Sequence, residues 1–449
     1  MIMERRINIK GICILFSLYL ILYVLLMLYY RNYVSKIFAY EGFYWDQNLE
    51  KVIISFWLLL YSAFINYGLK LEKPSFHLLN IMIFISIIPM LVIYSSANLS
   101  SYFIFLVIFS LSLIRIIIGL GNFLVLDIVP FTLIRYLVVI LALISLVWLI
   151  SLNYSYFNLN ILKVYEYRLE ISSKIPVTLN YMYNLTYKGF IPILYLYSLF
   201  TEKKFLRKFL FTLVVFLIYV VIFGLTSHKF FLFIIPIIFF LYLISSITGN
   251  LSLVFLVMFV LFLMFLYIVN LDQLGFIIKS LFIRRLLFVP AKLNFDYFQF
   301  FSQNPYVWFS DSRFLITHYF MSYPYSLDVP HLIGKVIYGR PDMSANTGWI
   351  GSGYAHAGVL GMFIYAMIIG TLLSYLDFLA KYLNYKFIVL SFFPYVVAMY
   401  LSSDLKTVFL THGLVFYLLV LNILYIYRKR IEYREVSNDK KSLPYNNCT

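Results

Sequence analysis

The sequence is poor in charge. Of its 449 residues only 12% are Asp, Glu, Lys or Arg, while 63% are hydrophobic. Soluble globular proteins carry about 25% charged residues, so a large water-facing domain is excluded. Cysteine is nearly absent. Cys13 and Cys448 lie in the first apolar run and at the extreme C-terminus, which excludes a disulfide framework and a cysteine metal site. There is no Walker loop, no HExxH and no GxSxG. No DxD or carboxylate cluster is suited to a divalent cation, so neither a metal nor a cofactor is expected. Internal repeats and low-complexity linkers are also missing.

What the chain does have is apolar runs longer than 18 residues, repeated along its length. That pattern defines an all-α polytopic membrane protein. We expect about twelve spans, near 11–30, 52–69, 77–95, 101–120, 131–150, 189–201, 209–224, 230–247, 251–269, 354–376, 386–402 and 408–427. The first run is long for a signal-peptide core and lacks a small-x-small cleavage site, so it reads as a retained span. Aromatic residues reach 21%, as belts at the lipid–water interfaces require.

The formal charge is +16, which could suggest nucleic acid. The basic residues instead cluster in short loops: Arg5, Arg6 and Lys10; Lys70 and Lys73; Lys203, Lys204, Arg207 and Lys208; Lys381 and Lys386; and the tail after Tyr427. The positive-inside bias puts these loops and both termini in the cytoplasm, and no nucleic-acid partner is expected. Arg115, Asp127 and Arg135, near inner span ends, are expected to pair with each other. The chain reads as a single membrane domain, 1–449, with two long outer loops, 151–188 and 270–353, and a cytoplasmic tail, 428–449.

Three segments stand out. In Ile333–Asp377 a polar, glycine-rich stretch runs into an apolar helix and brings together Arg340, Asp342, Asn346, Thr347 and His356. Ser352 is expected to cap a helix starting near Tyr354, with His356 in its first turn. Its free N–H groups would then face an anion, with Gly348, Gly351 and Gly353 letting the backbone approach the ligand. The bland alternative is that these glycines serve packing and a turn. The second segment is Gly224–Lys229, GLTSHK. Gly224 can end one helix and Thr226 or Ser227 cap the next, leaving His228 and Lys229 at a second outer helix start; a plain polar hairpin explains it equally. The third is Arg284-Arg285 in an interfacial helix, 281–301, expected to break near Pro290. Guanidinium forks suit phosphates, and snorkelling to lipid headgroups is the alternative. Asp311, Arg313 and His318 follow on the same loop.

GLTSHK, then RRLLFVPAKLNFDYFQFF, then DMSANTGWIGSGYAHAGVLGMFIYAMIIG, on a many-spanning chain with a large late outer loop, resembles the Wzy-type O-antigen or oligosaccharide-repeat-unit polymerases of bacteria. The family's Arg-x10-Gly pattern is matched by Arg340 and Gly351; a second copy is missing, since Arg168 is followed by Leu179 at that spacing. The resemblance implies a glycosyltransferase with a GT-C-type helical arrangement and a large periplasmic loop carrying interfacial helices. It implies a multi-pass protein of the bacterial inner membrane. Its donor would be an undecaprenyl-pyrophosphate-linked oligosaccharide, moved onto the terminal sugar hydroxyl of a new repeat unit with release of undecaprenyl pyrophosphate. Membrane lipid and a chain-length regulator protein are the further partners. The implied roles are general base for His356, with Asp342 or His228 next, and stabilisation of the leaving group for Arg340. Arg284, Arg285, His228, Lys229, Arg313, Asn346 and Thr347 would hold the pyrophosphate. An O-antigen ligase with a lipid A-core acceptor remains an alternative, and so does a lipid-linked glycan flippase or transporter.

Overall fold

The computed structural model describes residues 6–121, 123, 130–160, 171, 175–269, 272–313 and 315–442, with side chains as far as Glu432. Asp127, Arg168 and Cys448 lie outside the described residues. Among the described residues the protein is helical, with no strand. Eight helices are long and apolar enough to cross a membrane: Ile9–Ile37, Pro74–Ser96, Phe131–Tyr156, Phe205–Thr226, Lys229–Ile247, Leu251–Ile268, Trp349–Leu379 and Tyr385–Ser402. The other expected spans correspond to shorter or compound helices. Leu49–Phe64 has 16 residues and Ser101–Ile117 has 17. The expected 189–201 span is the end of a helical run that starts at Val177, and that of 408–427 divides at Gly413, whose φ is +80°.

The chain forms two compact units. The first comprises Met1–Gly121, Thr248–Asp377 and Phe393–Val408. Its core is the helix Pro74–Ser96, which is buried along its whole length. A helix apolar all round needs neighbours all round. Burial demands partners for its polar residues, and its amide, Asn80, has them. Asn80 Nδ2 donates to Asn66 Oδ1 at 2.9 Å and to the Phe76 carbonyl at 2.6 Å, and the Tyr19 hydroxyl donates to Asn80 Oδ1.

The unit has two polar ends. At one, Ile7 N–H donates to the Leu69 carbonyl at 2.9 Å, and Arg115 donates to the carbonyls of Ile65 and Tyr67 at 2.9 and 3.0 Å. Arg115 therefore binds backbone oxygens here; its expected acidic partner, Asp127, lies outside the described residues. Asp377 accepts from Ser75 N–H at 2.9 Å and from its hydroxyl at 2.7 Å. A carboxylate thus satisfies the first turn of the central helix, where the helix dipole favours negative charge. At the other end, Asp46 and Asn48 N–H groups donate to the carbonyls of Ser96 and Ser95 at 2.8 and 3.1 Å. Residues within 284–302, 337–346 and 401–402 line cavities at that end.

Three of the prolines inside long helices share one local feature. Pro89, Pro192 and Pro290 each come two residues after a π-helical stretch: Ile83–Ile87, Leu185–Phe190 and Ser280–Phe288. The wider π-turn shifts the hydrogen-bond register by one residue, which accommodates a residue that lacks an N–H and clashes with the carbonyl four back. The expected break near Pro290 therefore does not occur. Val289–Phe301 continues from Ser280–Phe288 and is largely buried; the exposed apolar residues, Leu274, Phe276, Ile277 and Leu281, precede it.

The second unit comprises Asn122–Ile247, Phe378–Phe392 and Phe409–Thr449. Here GLTSHK closes the antiparallel pair Phe205–Thr226 and Lys229–Ile247, with the turn made by Ser227 at φ +55°. Gly224 does not end its helix. It is buried against the Phe157 ring, which a Cβ would meet at 2.4 Å. His228 and Lys229 lie at the start of the second helix of this pair.

Candidate functional site

The site is built on a helix that is not continuous. Trp349–Leu379 leaves helical geometry at Ala357 (φ −151°, ψ 34°) and Gly358 (φ 59°, ψ −136°). The break frees the carbonyls of Ala355 and His356. They accept from Val307 N–H at 3.0 Å and Trp308 N–H at 2.7 Å, so the loop at 307–308 takes the place of the lost helical turn. That loop is itself strained. Trp308 and Phe309 have φ of 52° and 60°, a left-handed conformation that bulky side chains rarely adopt and that concentrates at functional sites.

The helix begins at Trp349, before the position expected from sequence, and Ser352 is not its cap: its hydroxyl donates back to the Gly348 carbonyl at 2.8 Å. The cap comes from another helix. Asn294 Oδ1 accepts from Gly351 N–H at 2.8 Å and from the Thr347 hydroxyl at 2.9 Å. The expected phosphate-facing helix start is thus satisfied by protein. The glycines serve packing. A Cβ on Gly348 would lie 2.4 Å from the Tyr400 carbonyl oxygen, and one on Gly361 would lie 2.0 Å from that of Gly353. They let the two arms of the broken helix meet and bring residues 399–400 against 348.

His356 ends the first arm, 1% exposed, rather than standing in a first turn. Its ring stacks on Phe309 at 4.3 Å between centroids. Its Nε2 lies 2.7 Å from Asp404 Oδ2. Asp404 Oδ1 accepts from the Tyr365 hydroxyl at 2.5 Å and from Lys406 N–H at 3.2 Å. The Lys406 ammonium lies 3.4 Å from Asp404 Oδ2 and also contacts Asp311. Burial works to raise the Asp404 carboxyl, but the His356 imidazole and the Lys406 ammonium outweigh it and hold the group well below the usual carboxylate range. An ionised carboxylate only accepts, so the Nε2 atom of His356 carries the proton. Nδ1 is buried and has no hydrogen-bond partner; it is the basic nitrogen whenever the ring is neutral. Ligand atoms of Asp311, His356 and Asp404 come within 4.8 Å of one another, the spacing a cation site needs. The Lys406 ammonium already lies against both carboxylates and offsets part of their charge as an internal cation.

A cavity of about 470 Å³ opens nearby, lined by Arg284, Arg285, Arg340, Asn346, Tyr338 and Glu41 among others. Leu401 and Ser402 also line it, and Asp404 follows two residues on. The π-helical stretch Ser280–Phe288 presents both adjacent arginines to it. Arg284, 9% exposed, donates from Nη1 to both Glu41 oxygens at 2.6 Å and lies over the Phe38 ring at 4.3 Å. Arg340 is exposed and follows the left-handed Gly339, which closes the helix Val329–Tyr338. Gly334 admits this turn: a Cβ there would lie 2.1 Å from the Met343 carbonyl oxygen. Three arginines face one carboxylate, so the cavity favours an anion.

The structure therefore gathers Arg284, Arg285, Arg340 and Asn346 around one cavity. It does not put His356 or Asp342 in that lining; Asp342 is exposed on the turn beside it. Thr347 is buried against Asn294 and is structural here. Arg313 is exposed on the loop after Asp311 and outside the lining. His228 and Lys229 belong to the second unit. Sequence reasoning missed Asp404, Tyr365, Lys406, Glu41 and Asn294. The available signal was Asp404-Leu405-Lys406, two charges in a short loop between apolar runs, in a chain with only 19 acidic residues. No protein-family model, no curated protein and no solved structure matches this chain.

Proposed function

We propose that the chain is a glycosyltransferase of the inner membrane of a bacterium, with about twelve spans in a GT-C-like arrangement. It polymerises undecaprenyl-pyrophosphate-linked repeat units at the outer face. The observation that carries this reading is the arginine cavity, whose lining runs through Leu401 and Ser402 into the segment that holds the His356–Asp404 pair. An oligosaccharide pyrophosphate leaving as an anion gains charge in the transition state, and fixed guanidinium groups stabilise that charge selectively. With cations already in place, the transfer has a charge stabiliser without a metal. His356, oriented by Asp404 and basic at Nδ1, is the group suited to take the acceptor hydroxyl's proton. Nδ1 is closed to solvent, so the acceptor reaches it only when neighbouring side chains move.

Two further observations support the reading. The end with Arg6, Lys70, Lys73 and Arg115 is opposite the cavity, and the positive-inside bias turns that end to the cytoplasm. The helix break also weighs against a transporter. About 21 residues follow Gly358, roughly 31 Å of helix and a full crossing. The break therefore lies at the membrane's edge, not at the midplane where transporter sites form.

The test is in vitro polymerisation of lipid-linked repeat units by the purified full chain. The expected result is a ladder of polymers that Arg340→Ala and His356→Ala abolish. Normal ladders from either variant remove that residue from the mechanism, and no polymer from the wild type removes the reading. In cells, a deletion that leaves a single repeat unit on the surface marks a polymerase, whereas one that leaves none marks a ligase.

A further inference from the structure

A second cavity, of about 430 Å³, adjoins the arginine cavity. The two share a wall. Glu41 lines the first and Gly42 the second; Tyr338 lines the first, and its hydroxyl donates to Asp296 Oδ2 at 2.6 Å, which lines the second. Lys292 completes the wall, 2.8 Å from Asp296 Oδ1 and 3.2 Å from the Tyr338 hydroxyl.

The two cavities differ in chemistry. In the second, the one cation, Lys292, is offset by Asp296. What remains is rings and neutral polar groups. Tyr44, Phe295 and Phe298 supply aromatic surface, and Asn98 and Gln299 supply amides that both donate and accept. An anion has no reason to enter, and a lipid tail would leave the amides and the ion pair unsatisfied. A pyranose has an apolar C–H face for the rings and an edge of hydroxyls for the amides, the combination of apolar walls and few placed polar groups that defines small-ligand sites.

We infer that this cavity is a neutral-sugar subsite, which takes the sugar ring joined directly to the pyrophosphate held in the arginine cavity. The inference rests on the pyrophosphate reading of that cavity. A glycosyl pyrophosphate laid across the shared wall puts its charge among Arg284, Arg285 and Arg340 and its ring against Tyr44 and Gln299. Both of these side chains are exposed, so replacing them leaves the fold intact.

The experiment measures calorimetric binding to the detergent-solubilised full chain. The probes are farnesyl diphosphate, a set of farnesyl-diphosphate-linked monosaccharides, and the matching methyl glycosides, which carry no phosphate. At least one sugar-bearing diphosphate is expected to bind about tenfold more tightly than farnesyl diphosphate, the size of one ring contact plus one hydrogen bond. Tyr44→Ala and Gln299→Ala should erase that gain and leave farnesyl diphosphate binding unchanged, while Arg340→Ala should weaken every diphosphate alike. Equal binding of sugar-bearing and sugar-free diphosphates across the set overturns the subsite. So does a sugar gain that survives both cavity substitutions. If diphosphates fail to bind but a methyl glycoside binds in a Tyr44-dependent way, the pyrophosphate reading falls and the sugar subsite stands.

Discussion

The two polar ends of the first unit carry the same kinds of side chain and treat them differently. At the basic end, Arg115 and Lys73 give their N–H groups to the protein's own carbonyl oxygens, of Ile65, Tyr67 and Asp377. At the opposite end, Arg284 is held by Glu41, whereas Arg285 and Arg340 stand in the wall of a cavity. Cations with internal oxygen partners fasten helix ends together. Cations that line a cavity are also placed to meet a ligand. The residue type is the same, so the difference lies in what the cation faces.

Substitutions at the two ends should separate in kind, and each can sharpen or break the contrast. Under the proposed function, the largest effect is expected for His356→Ala, a loss of polymerisation of about 100-fold or more, the usual share of a general base, read as ladder formation on lipid-linked repeats. Arg340→Ala should cost about 30-fold, the size of a lost hydrogen bond to a charged group in a cavity. Arg340→Lys should recover only part of it, because an ammonium lacks the guanidinium fork.

Asp404→Asn should lower turnover about tenfold, the order seen when a carboxylate that orients a histidine is removed. It also has a pH signature. Despite burial, the neighbouring imidazole and ammonium hold the Asp404 carboxyl below its ordinary range. Its stabilising contribution is therefore complete above about pH 4 and is lost as the pH falls below that. The difference in unfolding midpoint between wild type and Asp404→Asn should shrink as the pH falls below about pH 4.

At the basic end the readout changes. Asp377→Ala removes the carboxylate that holds Ser75, and should cost about 1–3 kcal/mol of stability while turnover at low temperature is unaffected. Arg115→Met should be the smallest, about 1 kcal/mol, seen as a modest drop in unfolding midpoint. A collapse of turnover in either variant with its midpoint intact would erase the distinction between the two ends.

Much of the fold was legible in the sequence because hydropathy is local. Runs such as Pro74–Ser96 and Leu251–Ile268 declare themselves residue by residue. Part of the site was legible for a similar reason: Arg284, Arg285 and Arg340 are conspicuous in a chain with little charge, and they line one cavity. The errors have a common cause. Ser352 has the composition of a cap, but Asn294, far away in sequence, makes the bond. Gly348, Gly351 and Gly353 have the composition of a ligand loop, but the space beside each is filled by other parts of the chain. Pro290 has the composition of a break, but a π-turn absorbs it.

The sequence by itself determined that this is a helical membrane protein with a basic end and a polar, glycine-rich segment entering a late helix. Apolar length and charge bias act locally and need no partner to be read. Only the tertiary structure decided that the late helix breaks at Ala357–Gly358, that His356 pairs with a carboxylate 48 residues away, and that three arginines from two segments share a cavity. Those facts depend on which distant residue supplies each hydrogen-bond acceptor, and packing, not composition, makes that choice.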